Sequence, residues 1–189
     1  MAAKSGVRIM DADEIGRALA SLSSAIAESN RSPSELILVG IRTRGVPLAE
    51  RIAGLLATRG RRPRTGSLDI NLYRDDLSLI GDHPVLRKTE IPHDVHGSRI
   101  VLVDDVLYTG RTIRAALDGL MDLGRPKRVL LAVLVDRGHR EIPIQPDFVG
   151  REIETSRDQQ VEVHLSEADG ADEVLLLERN GKDSDAAEP

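Results

Sequence analysis

Three short apolar runs, each released at a polar or glycine residue, most constrain what this chain can become. They are Leu36-Ile37-Leu38-Val39, Ile100-Val101-Leu102-Val103 and Val129 to Val135. None alternates polar with apolar residues, which is the mark of strands covered on both faces in a parallel sheet. Amphipathic segments separate them. Ile15, Leu19, Leu22 and Ile26 place a helix over Asp11–Ser29, and Leu48, Ile52, Leu55 and Leu56 place another over Val46–Thr58, with Pro47 in its first turn. Ile113, Ala116, Leu117, Leu120 and Met121 give a third apolar helix face that stops at Gly124. Strand and helix in alternation imply right-handed crossovers and an α/β architecture, a central parallel sheet flanked by helices. Ligands of such sheets sit beyond the carboxyl ends of the strands, which directs attention to the residues after Val39, Val103 and Val135.

The rest of the chain is read more weakly. Ser67–Tyr73 alternates and is predicted as a half-buried strand. Arg74–Val95 is a long, charged, proline-containing excursion, and two further strands are expected around Val161–Leu165 and Val174–Leu177. One domain over residues 1–180 is expected, followed by a polar, disordered tail at 181–189.

Composition narrows the function classes. Cysteine is absent, which removes disulfides, thiolate catalysis and Cys-type zinc sites. The formal net charge is −5 and Tyr73, Tyr108 and Phe148 are the only aromatics, so a stacking platform for single-stranded nucleic acid is not expected. With no apolar run of membrane-spanning length and no signal-peptide core after Met1, a cytoplasmic protein is expected.

The chemistry concentrates in Asp104-Asp105-Val106-Leu107-Tyr108-Thr109-Gly110-Arg111-Thr112. Two adjacent carboxylates at a strand end repel one another and resist ionisation when buried, so a site retains them to accept hydroxyl hydrogen bonds or to face a divalent cation. The Thr109–Thr112 turn opens a helix, where backbone N–H groups favour an anion and Gly110 permits close approach. A capped helix, with Thr109 or Thr112 as N-cap, is the bland alternative. The segment is neither a Walker A loop nor a GxGxxG loop. Gly40-Ile41-Arg42-Thr43-Arg44-Gly45, at the same sheet edge, is a glycine-bracketed loop with two arginines. His93 and His96 lack a nearby third ligand and are not read as a metal site. Arg59, Arg61, Arg62 and Arg64 are read as solvated arginines of a helix-end loop.

An apolar strand followed by an acid pair and a TG-[RK]-[ST] turn resembles the ribose-5-phosphate signature of type I phosphoribosyltransferases. That fold has a central parallel sheet, a flexible lid and a small hood. The resemblance implies that Asp104 and Asp105 hold the ribose hydroxyls. Val106, Leu107, Tyr108, Thr109, Gly110, Arg111 and Thr112 bind phosphoribosyl pyrophosphate (PRPP) or UMP, with the turn wrapped on the 5′-phosphate. Arg42, Thr43, Arg44 and Gly45 take the place of the pyrophosphate loop, which in the family often carries a non-proline cis peptide. Arg74, opening a lid, reaches the pyrophosphate. Asp136 and Arg137 stand at the base pocket. Tyr108 occupies a position where purine-using relatives carry an aspartate.

GIRTRG, DINLYRDDLS, VLVDDVLYTGRT, LGRPKRVLLAVLVDRGHREIPI and ETS together resemble the PyrR family over Met10–Leu177. The resemblance implies a UMP-responsive regulator that binds pyrimidine-operon leader mRNA and also converts uracil and PRPP to UMP and pyrophosphate. Mg²⁺ would be carried by PRPP rather than held by the protein alone, and the state would be a homodimer or homotetramer. His139, Arg140, Arg151 and Arg157 are the expected RNA-binding residues. The first helix carries Arg17 as its only basic residue, and a uracil-salvage enzyme without RNA binding is the alternative.

Overall fold

The computed structural model describes residues 6–30, 36–73 and 89–178. In chain order the elements are β1 (Gly6–Met10), α1 (Ala12–Ser29), β2 (Leu36–Ile41), α2 (Gly45–Thr58), β3 (Arg64–Leu68), β4 (Arg99–Leu107), α3 (Arg111–Asp122), β5 (Arg128–Asp136), β6 (Phe148–Glu152), β7 (Gln159–His164), α4 (Ser166–Asp169) and β8 (Glu173–Glu178). Five strands form one sheet in the order β3-β2-β4-β5-β6, every pair parallel. The other three form a small antiparallel sheet, β1-β8-β7.

The continuous apolar strands are covered on both faces, as their composition requires. Leu36, Leu38, Val101, Val103, Leu130, Ala132 and Leu134 face α1 and α2. The alternate residues Ile37, Val39, Ile100, Leu102, Leu131 and Val133 face α3. Val161, Val163, Leu165 and Val174 of the small sheet join the first of these cores, so the hood is seated on the main domain through apolar packing.

Helix ends follow local chemistry. Asp11 caps α1 through a capping box, its carboxylate accepting from the Glu14 N–H at 2.9 Å while Glu14 accepts from the Asp11 N–H at 3.0 Å. At its other end α1 has no basic residue of its own. Arg61 supplies that charge from beyond α2, donating to the carbonyls of Ala27 at 2.6 Å and Asn30 at 2.7 Å. Arg59 likewise donates to Ser24 Oγ at 2.8 Å. These two arginines are therefore interhelix ties rather than the solvated loop residues expected.

Several boundaries differ from the sequence reading for identifiable reasons. The strand expected at Ser67–Tyr73 lies at Arg64–Leu68, in register with β2, and Asn71–Tyr73 is a single 3₁₀ turn. It ends because the Asp69 carboxylate accepts from the Asn71 N–H at 3.0 Å, an Asx turn that the alternating pattern conceals. Met121, assigned to the apolar face of α3, is 49% exposed. β1 and β6 were not anticipated: both are five-residue strands carrying arginine, and β6 is an edge. The lid-opening Arg74 and most of its excursion, like the tail at 181–189, lie outside the described residues.

Gly45 fixes how closely α2 approaches the central strand. A Cβ there would fall 2.3 Å from the Val103 carbonyl oxygen, at the step from which the acid pair projects. Gly54, exposed in the middle of the same helix, has no neighbour within 4 Å of a Cβ. Gly45→Ala is expected to destabilise the protein by about 2–3 kcal/mol through overpacking against backbone. Gly54→Ala is expected to stabilise it by roughly 0.5–1 kcal/mol by restricting the unfolded chain. Urea unfolding of the two variants checks both signs.

Candidate active site

The site begins with a difference in strand length. β2 leaves the sheet soon after Gly40, which pairs with Val103. β4 continues for four more residues and pairs with β5 as far as Leu107 opposite Asp136. Asp104 and Asp105 thus lie inside β4, on the overhang beyond β2, rather than in a loop after it.

Asp104 is 6% exposed. Its carboxylate accepts from the Asp105 N–H at 3.0 Å, and that of Asp105 accepts from the Val106 N–H at 2.9 Å. Burial, reinforced by the neighbouring Asp105 charge, pushes the Asp104 carboxyl well above the ordinary carboxylate range. Burial raises Asp105 as well, opposed by the Val106 N–H and by the positive charge of Arg44. Among the described residues, no group of three or more His, Asp or Glu side chains is arranged to hold a metal ion.

At the end of the overhang, Leu107 buries its side chain in the α3-side core, leaving its backbone to the site, and Val106 packs at the margin of the opposite core. Gly110, at φ 94°, is the N-cap of α3, in place of either threonine. Its left-handed backbone suits glycine, and it has no side chain with which to satisfy the first-turn N–H groups. Thr109 Oγ1 accepts only a long 3.4 Å bond from the Arg111 N–H. Arg111 pairs with Glu141 at 2.8 Å, and Thr112 lies in the first turn of the helix.

The glycine-bracketed loop after β2 is split between two directions. The Arg42–Thr43 peptide is cis. Arg42 donates to Ser67 Oγ at 2.9 Å and lines a cavity of about 710 Å³ between α2 and β3, away from the acid pair, where it was not expected. Thr43 is exposed. Arg44 faces the pair and is held by the hood, donating from Nε and Nη2 to the two carboxylate oxygens of Asp169 at 3.0 and 2.9 Å. Two turns along α2, Arg51 grips Glu167 and Asp172 of the same hood segment at 2.6 and 2.7 Å. Arg51 holds the Asp172 carboxyl down to about 2 and lowers that of Glu167.

After β5 the chain folds over the turn that opens α3. Thr109 O accepts from the N–H groups of Glu141 and Ile142 at 2.9 and 3.2 Å. Arg137, 6% exposed, lies with its guanidinium 4.1 Å from the centre of the Tyr108 ring. Asp136 accepts from the Gly138 N–H at 2.9 Å and from Arg140. Arg140 also donates to the carbonyls of Tyr108 at 2.9 Å and Ile144 at 3.0 Å. His139 Nε2 meets Thr155 O at 2.6 Å, and its ring stands edge-on to Tyr108. His139 and Arg140, expected on an RNA face, are therefore turned inward because the loop uses them to hold its own shape. Arg151 is partly engaged, donating to Ile9 O at 2.9 Å and Glu14 at 3.1 Å, while Arg157 is exposed.

The sequence reading brought together the acid pair, the turn, Arg44, Asp136 and Arg137, and the structure places these at one sheet edge. Asp169 has no place in that set, and Thr155–Ser156 enters the sequence analysis only within the ETS segment, without a role. Arg44 and Asp169 are 125 residues apart, a separation across which no local pattern carries a signal.

The parallel sheet, its hood and a helix-opening turn beside a buried acid pair define a class. The chain belongs to the phosphoribosyl transferase domain family, whose model matches residues 8–168. Within that class it is a member of the PyrR family. It is 56% identical to the "Bifunctional protein PyrR" of Chloroflexus aurantiacus over 93% of this chain and 97% of that one. It is 58% identical to the protein of the same name from Thermus thermophilus, over 92% and 96%. Its fold is similar to that of a hypoxanthine phosphoribosyltransferase from Trypanosoma cruzi, with a TM-score of 0.72 at 17% identity over 92% and 95% of the two chains. No helix among the described residues is long and apolar enough to cross a membrane.

The acid pair sets a pH dependence. Both groups bind protons more tightly folded than unfolded, so their stabilising contribution is full below the ordinary value of 3.8 and is lost as pH rises through the folded values. Asp172 acts oppositely: its contribution is lost as pH falls from 3.8 through about 2, which lies below the pair's window. Urea unfolding across a pH series above the carboxylate range is expected to show falling stability with rising pH. Asp104→Asn is expected to flatten that slope and to raise stability at neutral pH.

Proposed function

We propose that this protein transfers the phosphoribosyl group of PRPP to uracil, and that its UMP-bound form regulates pyrimidine genes through their leader mRNA. The observation that carries the reading is the buried Asp104–Asp105 pair running directly into a glycine-capped helix N-terminus. The pair offers acceptors for two vicinal hydroxyls, and the turn offers N–H groups and the Thr109 and Thr112 hydroxyls to a phosphate six residues away along the chain. Similarity to the PyrR proteins and the Tyr108–Arg137 pair at the same edge support a pyrimidine base.

In the reaction, the C1–oxygen bond to pyrophosphate breaks as uracil N1 bonds to C1, and the N1 proton is released. The N1–H, acidified by the conjugated ring carbonyls, passes its proton to the departing pyrophosphate or to water without a dedicated base, consistent with Tyr108 standing where purine-using relatives carry an aspartate. Arg44 and the backbone of the Thr43–Gly45 loop neutralise the departing pyrophosphate, with Arg74 as the lid's contribution. Asp104 and Asp105 fix the ribose, and Asp136 and Arg137 the base, so that catalysis rests on alignment and charge. Asp104 and Asp105 are the carboxylates that would meet, through ribose hydroxyls or water, a Mg²⁺ brought by PRPP, which would supply neutralisation of the diphosphate charge. The assembly is a homodimer or homotetramer in the cytoplasm.

One observation favours a second reading, a salvage enzyme without RNA binding. His139 and Arg140 are engaged within their own loop and Arg17 is the only basic residue of α1, so those two surfaces offer few cations to an RNA backbone.

Asp105→Asn and Thr112→Val are each expected to reduce uracil transfer by about 100-fold or more, the scale of losing a group that stabilises the transition state. Wild-type turnover in both would overturn the site. Titration against pyrimidine-operon leader RNA at two salt concentrations is expected to show UMP-enhanced binding that weakens with salt. Absence of binding at both concentrations would leave the salvage reading.

A further inference from the structure

Arg137 is a guanidinium buried beside the proposed base pocket, and a group with five N–H donors recognises a base only if its plane is fixed. The Tyr108 ring fixes one face, at 4.1 Å. The edge is fixed from an unrelated part of the chain, the link between β6 and β7. Arg137 Nε donates to Thr155 Oγ1 at 3.2 Å, and Nη2 donates to Ser156 O at 2.9 Å. The Thr155 hydroxyl in turn donates to Arg137 O at 3.3 Å. The donor and acceptor capacity of one hydroxyl is thus directed at a single residue, at its side chain and its backbone. Thr155 O meanwhile meets His139 Nε2, tying down the residue that follows Gly138 in the left-handed region, at φ 61°. No described residue accepts from Arg137 Nη1, whose N–H groups lie on the edge opposite Nε.

We infer that Thr155 is a positioning residue for base recognition: it sets the plane of Arg137 over Tyr108 so that Nη1 is presented to a carbonyl oxygen of a pyrimidine base. The inference rests on the uracil reading and extends it, since Thr155 touches neither phosphate nor ribose groups and acts through Arg137. Threonine and valine have the same shape, so Thr155→Val removes both hydrogen bonds of the hydroxyl while preserving packing, and Thr155→Ser keeps them.

The test compares binding of UMP with binding of ribose 5-phosphate, the same ligand without its base, by calorimetry on the full chain. Thr155→Val is expected to weaken UMP about tenfold, the scale of one net hydrogen bond. Ribose 5-phosphate binding is expected to be unchanged, and Thr155→Ser to match the wild type for both ligands. UMP affinity in Thr155→Val within twofold of wild type overturns the inference, as does equal weakening of both ligands. A wild-type protein that binds UMP no better than ribose 5-phosphate lacks a base site, and that outcome removes the uracil reading and the inference together.

Discussion

Two adjacent carboxyl groups, Asp104 buried and Asp105 half-buried, sit at the end of the central strand, and the rest of the structure is arranged around that fact. Their position follows from strand lengths alone. β4 outruns β2, so its last residues have a sheet neighbour on one side only, and the pair emerges on that step. Each carboxylate accepts a backbone N–H from the next residue, which orients it without neutralising it. The pair is a standing destabilisation, held by strand pairing on one side and by Gly45 pressed against Val103 on the other. In the proposed reaction, ribose hydroxyls take the place of water as donors to the pair.

The cations nearby have partners within the fold. Arg44 lies in a two-point ion pair with Asp169, and Arg51 spans Glu167 and Asp172, so one short hood segment is fastened to α2 at two levels. The loop after β5 is equally self-contained, with Arg140 and Asp136 locked together and Arg137 stacked on Tyr108. Arginines that look like an available basic surface in the sequence are in large part internal fasteners. This follows from arginine's planar fork, which suits carboxylates and carbonyls within the fold as well as phosphates outside it.

That distinction marks where the sequence is legible. Ile100–Val103 and Val129–Val135 identify central strands because burial on both faces leaves no room for polar residues. Asp104, Asp105 and Thr109–Gly110–Arg111–Thr112 identify a site because an acid pair and a helix-opening turn are informative within nine consecutive residues. Interactions between distant segments leave no such trace. Nothing near Asp169 points to Arg44, nothing near Thr155 points to Arg137, and Arg61 reads as a loop residue although it closes α1. β3 lies earlier in the chain than the alternation of Ser67–Tyr73 suggests for a local reason, since that alternation also fits an Asx turn followed by a 3₁₀ turn.

The pairing of β1 with β8 bears on how the protein comes into being on the ribosome. The first described strand has the last one as its sheet partner, with Gly6 opposite Leu177, while the five parallel strands all lie between them. During synthesis the parallel core has its full complement of strands before β8 exists, whereas β1 has no partner until translation reaches that point. The hood is therefore the last part of the molecule to close, and with it comes Asp169, the residue that engages Arg44. A chain interrupted before β8 would carry the acid pair and the turn without a closed hood, so completion of translation is itself a condition for a finished site.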